Sequence, residues 1–213
     1  MILPVTIGQF TAPDSVFTRQ AALIVERAHS QSMLGHVHRT WWFAEVLGKV
    51  RGLKYDREVV YLASLLHDLG LTAEFAADQR FEVDGANAAS RILLANDYPE
   101  SKAQLVWDGI ALHSSAGIAE RREAEVALVH MGAHVDVFGL WFDEIAPSFI
   151  DDVLQLYPRD GFKVAFQTAL AEVVRKKPHT ATGTGLVDIG YRHVHGFKSP
   201  DVCDLIDHAP FES

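Results

Sequence analysis

Residues 59–70 read VVYLASLLHDLG, an apolar run that ends on His67, Asp68 and Gly70. Its apolar residues return at intervals of three and four, the period of a buried helix and not of a strand. That helix starts near Asp56 and takes Gly70 as its C-terminal stop. The same period continues on both sides. Asp14 or Ser15 is placed to cap a helix through about His29, and a second helix runs from about Ser32 to Val50 and ends near Gly52. Asp84-Gly85 precedes ANAASRILLAND, a fourth helix that ends before Pro99. Glu100–His113 and Arg121 to about Trp141 follow, and two shorter helices fit Phe149–Tyr157 and Gly161–Arg175. No stretch alternates with a period of two, so the predicted fold is an all-α helical bundle. From Lys177 the chain turns rich in Gly and Thr. The expected organisation is an N-terminal extension over 1–13, a helical domain over 14–176, and an irregular C-terminal tail over 177–213 packed on the domain or on a partner subunit.

A chain of 213 residues, 48% hydrophobic and 22% charged, can bury the core of one domain. Nineteen Lys and Arg against twenty-eight Asp and Glu leave a net charge of -9, which repels phosphate backbones and argues against a nucleic-acid partner. The single Cys203 excludes an internal disulfide and any Cys-based zinc module. The opening MILPVTIGQFTAPDS has no basic head and does not read as a signal peptide, so the expected location is the cytoplasm. The most apolar stretch, Val126–Phe142, is interrupted by His130, His134 and Asp136, and is expected as a buried helix with no membrane span in the chain. Eleven histidines in an acidic chain direct attention to metal chemistry with nitrogen and oxygen ligands.

Helical geometry selects four residues. In the second helix His36 shares a stripe with Thr40, Phe43, Leu47 and Val50, which faces the core, whereas His38 shares the stripe of Trp42, Glu45 and Lys49, expected mostly on the solvent side. In the third, His67 follows Val60 and Ala63 on a buried stripe, and Asp68 stands beside it at the helix end. In the sixth, Asp136 follows Val129, Gly132 and Ala133, and a carboxylate on such a face is costly unless paired or coordinated. Taken singly, each histidine reads as a satisfied core residue, Asp68 as a helix-end residue and Asp136 as the partner of Arg39 or another base in a buried salt bridge. Taken together, two inward histidines and two awkward carboxylates on three helices fit one divalent metal with positions left for water.

H-x-x-R at His36–Arg39, HD at His67-Asp68 within LLHDLG, and Asp136 within HVDVFG resemble the HD superfamily of metal-dependent hydrolases, in order, over roughly residues 14–175. The resemblance implies an all-helical fold with His36, His67, Asp68 and Asp136 as metal ligands. RFEVDGANAA at Arg80–Ala89, IALHSSAGIA at Ile110–Ala119 and HVHRTWWFA after PDSVFTRQAA resemble the cyanamide-hydratase-like branch, with Val37 where that branch usually has Ser.

Such a site would hold one divalent ion, zinc being favoured with Mn, Fe, Ni or Mg as alternatives, and would turn its bound water into a nucleophile. His113, at the end of the fifth helix, and Glu82 are the candidate catalytic residues. Their plainer readings are a helix-end histidine favoured by the dipole and an exposed loop carboxylate. Arg39, Thr72, Trp41 and Phe81 are candidates for contact with a small-molecule substrate. His130 and His134, spaced i,i+4, are expected on a surface or interface face, with chelation by the pair itself as the alternative. Three functions stay open. The first is hydration of a small cyanamide- or nitrile-like molecule, which the scarcity of basic residues near the motifs favours. The others are hydrolysis of nucleotides or phosphomonoesters and ligand binding without turnover. The apolar sixth helix and the tail would serve a homo-oligomer or internal packing equally well.

Overall fold

The computed structural model describes residues 4–211; the first three residues of the expected extension and the last two of the tail lie outside them. Among the described residues ten α-helices carry the fold: α1 (Val16–Ala28), α2 (Gln31–Val50), α3 (Arg57–Leu66), α4 (Phe81–Leu94), α5 (Glu100–Leu112), α6 (Ala124–Phe138), α7 (Pro147–Leu156), α8 (Phe162–Lys176), α9 (Leu186–His193) and α10 (Val202–Asp207). The all-α expectation therefore holds. The extension adds one small exception, a hairpin of β1 (Thr6–Ile7) and β2 (Phe10–Thr11) turning at Gly8 with φ +56°. Among the described residues no helix is long and apolar enough to cross a membrane.

The helix starts follow local chemistry. Ser15 and Thr18 satisfy each other's backbone amides in a capping box that opens α1, and Asp56 accepts from the amides of Glu58 and Val59 to open α3. α2 and α6 form the most extensive helix pair in the bundle and bury most of their residues. Their backbones meet where Gly132 faces Thr40: a Cβ on Gly132 would overlap the Thr40 carbonyl oxygen and stand 3.0 Å from Ala44. This contact sits four residues after His36 and four before Asp136, so it sets how closely those two approach. Replacing Gly132 with Ala is expected to lower stability by about 1–3 kcal/mol through forced separation of the two helices. A urea midpoint equal to wild type would show that the crossing can open freely.

Three local expectations need correction. Gly70 does not stop α3 in a left-handed conformation; α3 ends at Leu66 and passes through His67 and Asp68 into a 3₁₀ turn at Leu69–Leu71. Gly70 is required instead because any Cβ there would overlap the Phe81 carbonyl, where the turn meets the start of α4. Second, α4 begins at Phe81 and not after Asp84, so Glu82 and Asp84 lie in its first turn, where negative charge complements the helix dipole. Asp84 is buried and accepts from the amides of Ala77 and Gln79 and from Lys177 Nζ at 2.6 Å. Third, the stretch after Lys177 is only partly irregular. Leu186 of α9 packs with Phe81, Leu170 and Val174 in a second, smaller apolar cluster, whereas α10 is exposed throughout.

Candidate metal centre

His36, His67 and Asp68 are each 1% exposed, and one donor atom from each lies within 4.8 Å of the others. His36 reaches the centre from the middle of the bundle on α2, and His67 and Asp68 come from the break between α3 and its 3₁₀ turn. The break explains how adjacent residues converge: on a continuous helix they would point about 100° apart.

Hydrogen bonding fixes which nitrogens face inward. His67 Nδ1 lies 2.7 Å from the Ser64 carbonyl, an acceptor only, so Nδ1 carries the proton and Nε2 presents a lone pair. His36 Nδ1 donates in the same way to Asp136 Oδ2 at 2.7 Å. The two Nε2 atoms are 3.2 Å apart, and each lies about 3.4–3.5 Å from Asp68 Oδ2. Burial, reinforced by His113 and His36 nearby, pushes His67 well below the usual imidazole range, so it is neutral. Both carboxylate oxygens of Asp68 are buried without a hydrogen-bond donor. Lone pairs and an unpaired carboxylate gathered in a dry space repel one another unless a cation stands between them. A single shared proton would serve the two imidazoles and leave Asp68 unsatisfied; a divalent ion serves all three residues. The donor set thus fits a divalent metal, and imidazole with carboxylate suits zinc, iron, manganese or nickel.

Asp136 stands one layer behind His36. Its carboxylate accepts from His36, from Arg39 Nε at 2.8 Å and Arg39 Nη2 at 2.9 Å, and from Arg159. Burial alone would raise its pKa, but the hydrogen bonds from His36 and Arg39 hold it well below the usual carboxylate range. As placed here it holds the His36 ring and is not among the three converging donors.

The remaining site expectations divide. His113 is brought in: its ring packs edge-on against His67 at 4.7 Å, and its Nε2 is 4.0 Å from Asp68 Oδ1. Its Nδ1 donates to the Ile110 carbonyl, which leaves Nε2 as the nitrogen that faces Asp68. Glu82 is no exposed loop carboxylate. It is 2% exposed and accepts from Ser114 Oγ at 2.6 Å and Arg80 Nη2 at 2.7 Å. Burial opposes its charge, yet Arg80, His113 and Ser114 together bring its pKa below the ordinary glutamate value. Phe81 lies edge-on to His113 at 5.7 Å and walls the same side.

Arg39, Trp41 and Thr72 do not offer groups to a substrate. Arg39 is completely buried, and it spends its donors on Asp136 and on the carbonyls of Tyr157 and Pro158. Trp41 is five residues past His36, about 140° around the helix, and packs on Trp42 and Tyr61 in the core. The Thr72 hydroxyl donates to the Leu69 carbonyl and closes the 3₁₀ turn. His38 stacks on Tyr157, and Trp42 and Glu45 on its stripe are buried, so that stripe is not a solvent face. His130 and His134 are likewise buried, not on a surface.

Several neighbours of the centre were not anticipated. Phe162 stacks on His36 at 4.9 Å, Phe166 follows at 5.6 Å, and the guanidinium groups of Arg39 and Arg159 lie over the Phe162 ring. The i,i+4 spacing of Phe162 and Phe166 on a helix was the available signal for a shared face. Arg159, in a short loop, left none.

Residues 33–137 match the family model described as HD domain, a stretch that begins three residues before His36 and ends one after Asp136. No curated protein matches the chain.

Proposed function

We propose that this chain, whose residues 33–137 match the HD-domain model of a family of, in general, metal-dependent hydrolases, adds water to a small neutral molecule, cyanamide- or nitrile-like. His36 Nε2, His67 Nε2 and Asp68 would hold one divalent ion, zinc being favoured. Such an ion, when bound, supplies a Lewis acid and lowers the pKa of a coordinated water to about 7.

The protein's own groups arrange the rest. Asp136, neutralised by two arginines, keeps the proton of His36 on Nδ1 and so keeps Nε2 free. His113 Nε2 beside Asp68 is placed to take a proton from water and return it to the substrate nitrogen. Glu82, held by Ser114 and Arg80, places a buried carboxylate on the His113 side of the centre during that transfer. Phe81, Phe162 and Phe166 exclude bulk water.

One observation carries the choice of substrate: the basic side chains around the centre are already paired. Arg39 and Arg159 are committed to Asp136, Arg80 to Glu82 and Lys177 to Asp84. A phosphate ester would need free cations. The test is turnover by metal-loaded protein of cyanamide, small nitriles, nucleoside monophosphates and a simple phosphomonoester, side by side. Urea or amide formation is expected, with the phosphate compounds untouched. Release of phosphate with no hydration of cyanamide or nitriles would overturn the reading, and turnover of nothing in the panel would count against it.

A further inference from the structure

The segment 114–121 joins α5 to α6 and carries Ser114, the hydroxyl partner of Glu82. Both of its ends meet on one side chain. His130, on α6, is fully buried, and its Nδ1 donates to the His113 carbonyl at 2.7 Å. Its Nε2 lies 3.2 Å from Glu120 Oε1. The other oxygen of Glu120 accepts from the amide of Gly117 at 2.8 Å, where the chain reverses with φ +79°. His134 packs on the His130 ring at 3.9 Å and donates from its own Nδ1 to the His130 carbonyl, and Trp141 closes a further side at 5.9 Å. The ring is thus held by neighbours and spans the loop from its first residue to its last turn. Among the described residues only His36, His67 and Asp68 bring three donors within 4.8 Å, so the His130, His134 and Glu120 group is not a second three-donor centre.

We propose that His130 is a positioning residue for the site. By fastening the His113 carbonyl to α6 and standing against Glu120, with which it forms an ion pair when the ring is protonated, it aims the His113 imidazole at Asp68 and holds Ser114 against Glu82. α6 also carries Asp136, so one helix sets the stance of His36 on one side of the centre and of His113 on the other. The inference rests on the reading of His113 as part of the site.

The test compares wild type with His130→Ala, His130→Asn and Glu120→Gln, all metal-free. The Asn side chain keeps a donor where Nδ1 stands, and Glu120 is one-third exposed, so its replacement leaves the core intact. His130→Ala is expected to speed amide exchange in 115–121 by about 10- to 100-fold and to shift the imidazole ¹H–¹⁵N signals of His113. His130→Asn should return those signals toward wild type, and Glu120→Gln should speed exchange around Gly117 alone. Wild-type exchange and His113 signals in His130→Ala would overturn the proposal, as would an Asn variant no closer to wild type than the Ala variant. If His130→Ala does not fold, His130→Leu takes its place: it fills the volume of the ring and removes both nitrogens, and wild-type exchange in 115–121 with wild-type His113 signals overturns the proposal. None of these readouts needs metal or turnover, so a wild type that binds no metal would defeat the proposed function and leave this inference to stand or fall separately.

Discussion

Asp68→Asn is expected to lose the metal that wild type binds and, with both proteins stripped of metal, to melt higher than wild type. The two effects have opposite sign because they come from one cause. No protein group donates a hydrogen bond to either oxygen of the buried Asp68 carboxylate, which faces the Nε2 atoms of His36 and His67, so without a metal it has no partner from the chain. Replacing it with a neutral amide removes an unpaired buried charge, for a gain of about 1–3 kcal/mol in the metal-free state. For a chain of this size that is roughly 2–12 °C in Tm. The loss in metal affinity should exceed the 10- to 100-fold typical of residues that only orient ligands, and turnover should fall with it. Metal content by elemental analysis and melting in excess chelator measure both. A variant that keeps stoichiometric metal, or that melts lower than wild type without metal, would show that Asp68 is a structural carboxylate with no ligand role.

Arg39→Met should produce the largest loss of stability. The guanidinium is fully buried and joins four acceptors from two parts of the chain: both oxygens of Asp136 and the carbonyls of Tyr157 and Pro158. Removing it leaves the Asp136 charge leaning on Arg159 and orphans two carbonyls, which places the cost at about 3–5 kcal/mol, or roughly 6–20 °C in Tm. Arg39→Lys should recover little, because an ammonium cannot match the two-pronged geometry at Asp136. A Gly35 side chain would collide with Arg39 Nη1, so the backbone itself is shaped around this group. A Lys variant as stable as wild type would show that charge alone is needed there.

The helical bundle was legible because most of its helices carry a strong apolar period and recognisable ends, as at Ser15 and Asp56. His36, His67 and Asp68 were legible for the same reason: each interrupts an apolar face. Asp136 was visible as a costly carboxylate, and its pairing with Arg39 was among the readings left open; which reading held depended on a contact between residues 97 positions apart. Burial was underestimated along α2, where residues on every side of the helix are enclosed, so that stripe logic placed His38 and Trp42 too near solvent and Trp41 too near the site. His130 and His134 were misplaced because an i,i+4 pair reads the same on a surface and in a core. The start of α4 was missed since Asp84-Gly85 resembles a cap, whereas the Asp84 carboxylate serves the preceding loop and Lys177. Phe162 and Arg159 belong to a segment without a motif, beyond residue 137.

That separation along the chain has a temporal side. His36, His67 and Asp68 are all present once residue 68 has been synthesised, yet the rings that cover His36 belong to Phe162 and Phe166, nearly a hundred residues later. At typical ribosomal speeds the interval is roughly 5–20 s. The donors therefore exist before their cover does, and the entry route to the centre is widest in the unfinished chain. Closure by α8 therefore comes late in synthesis, and an ion held by the finished protein would lie behind Phe162 and Phe166.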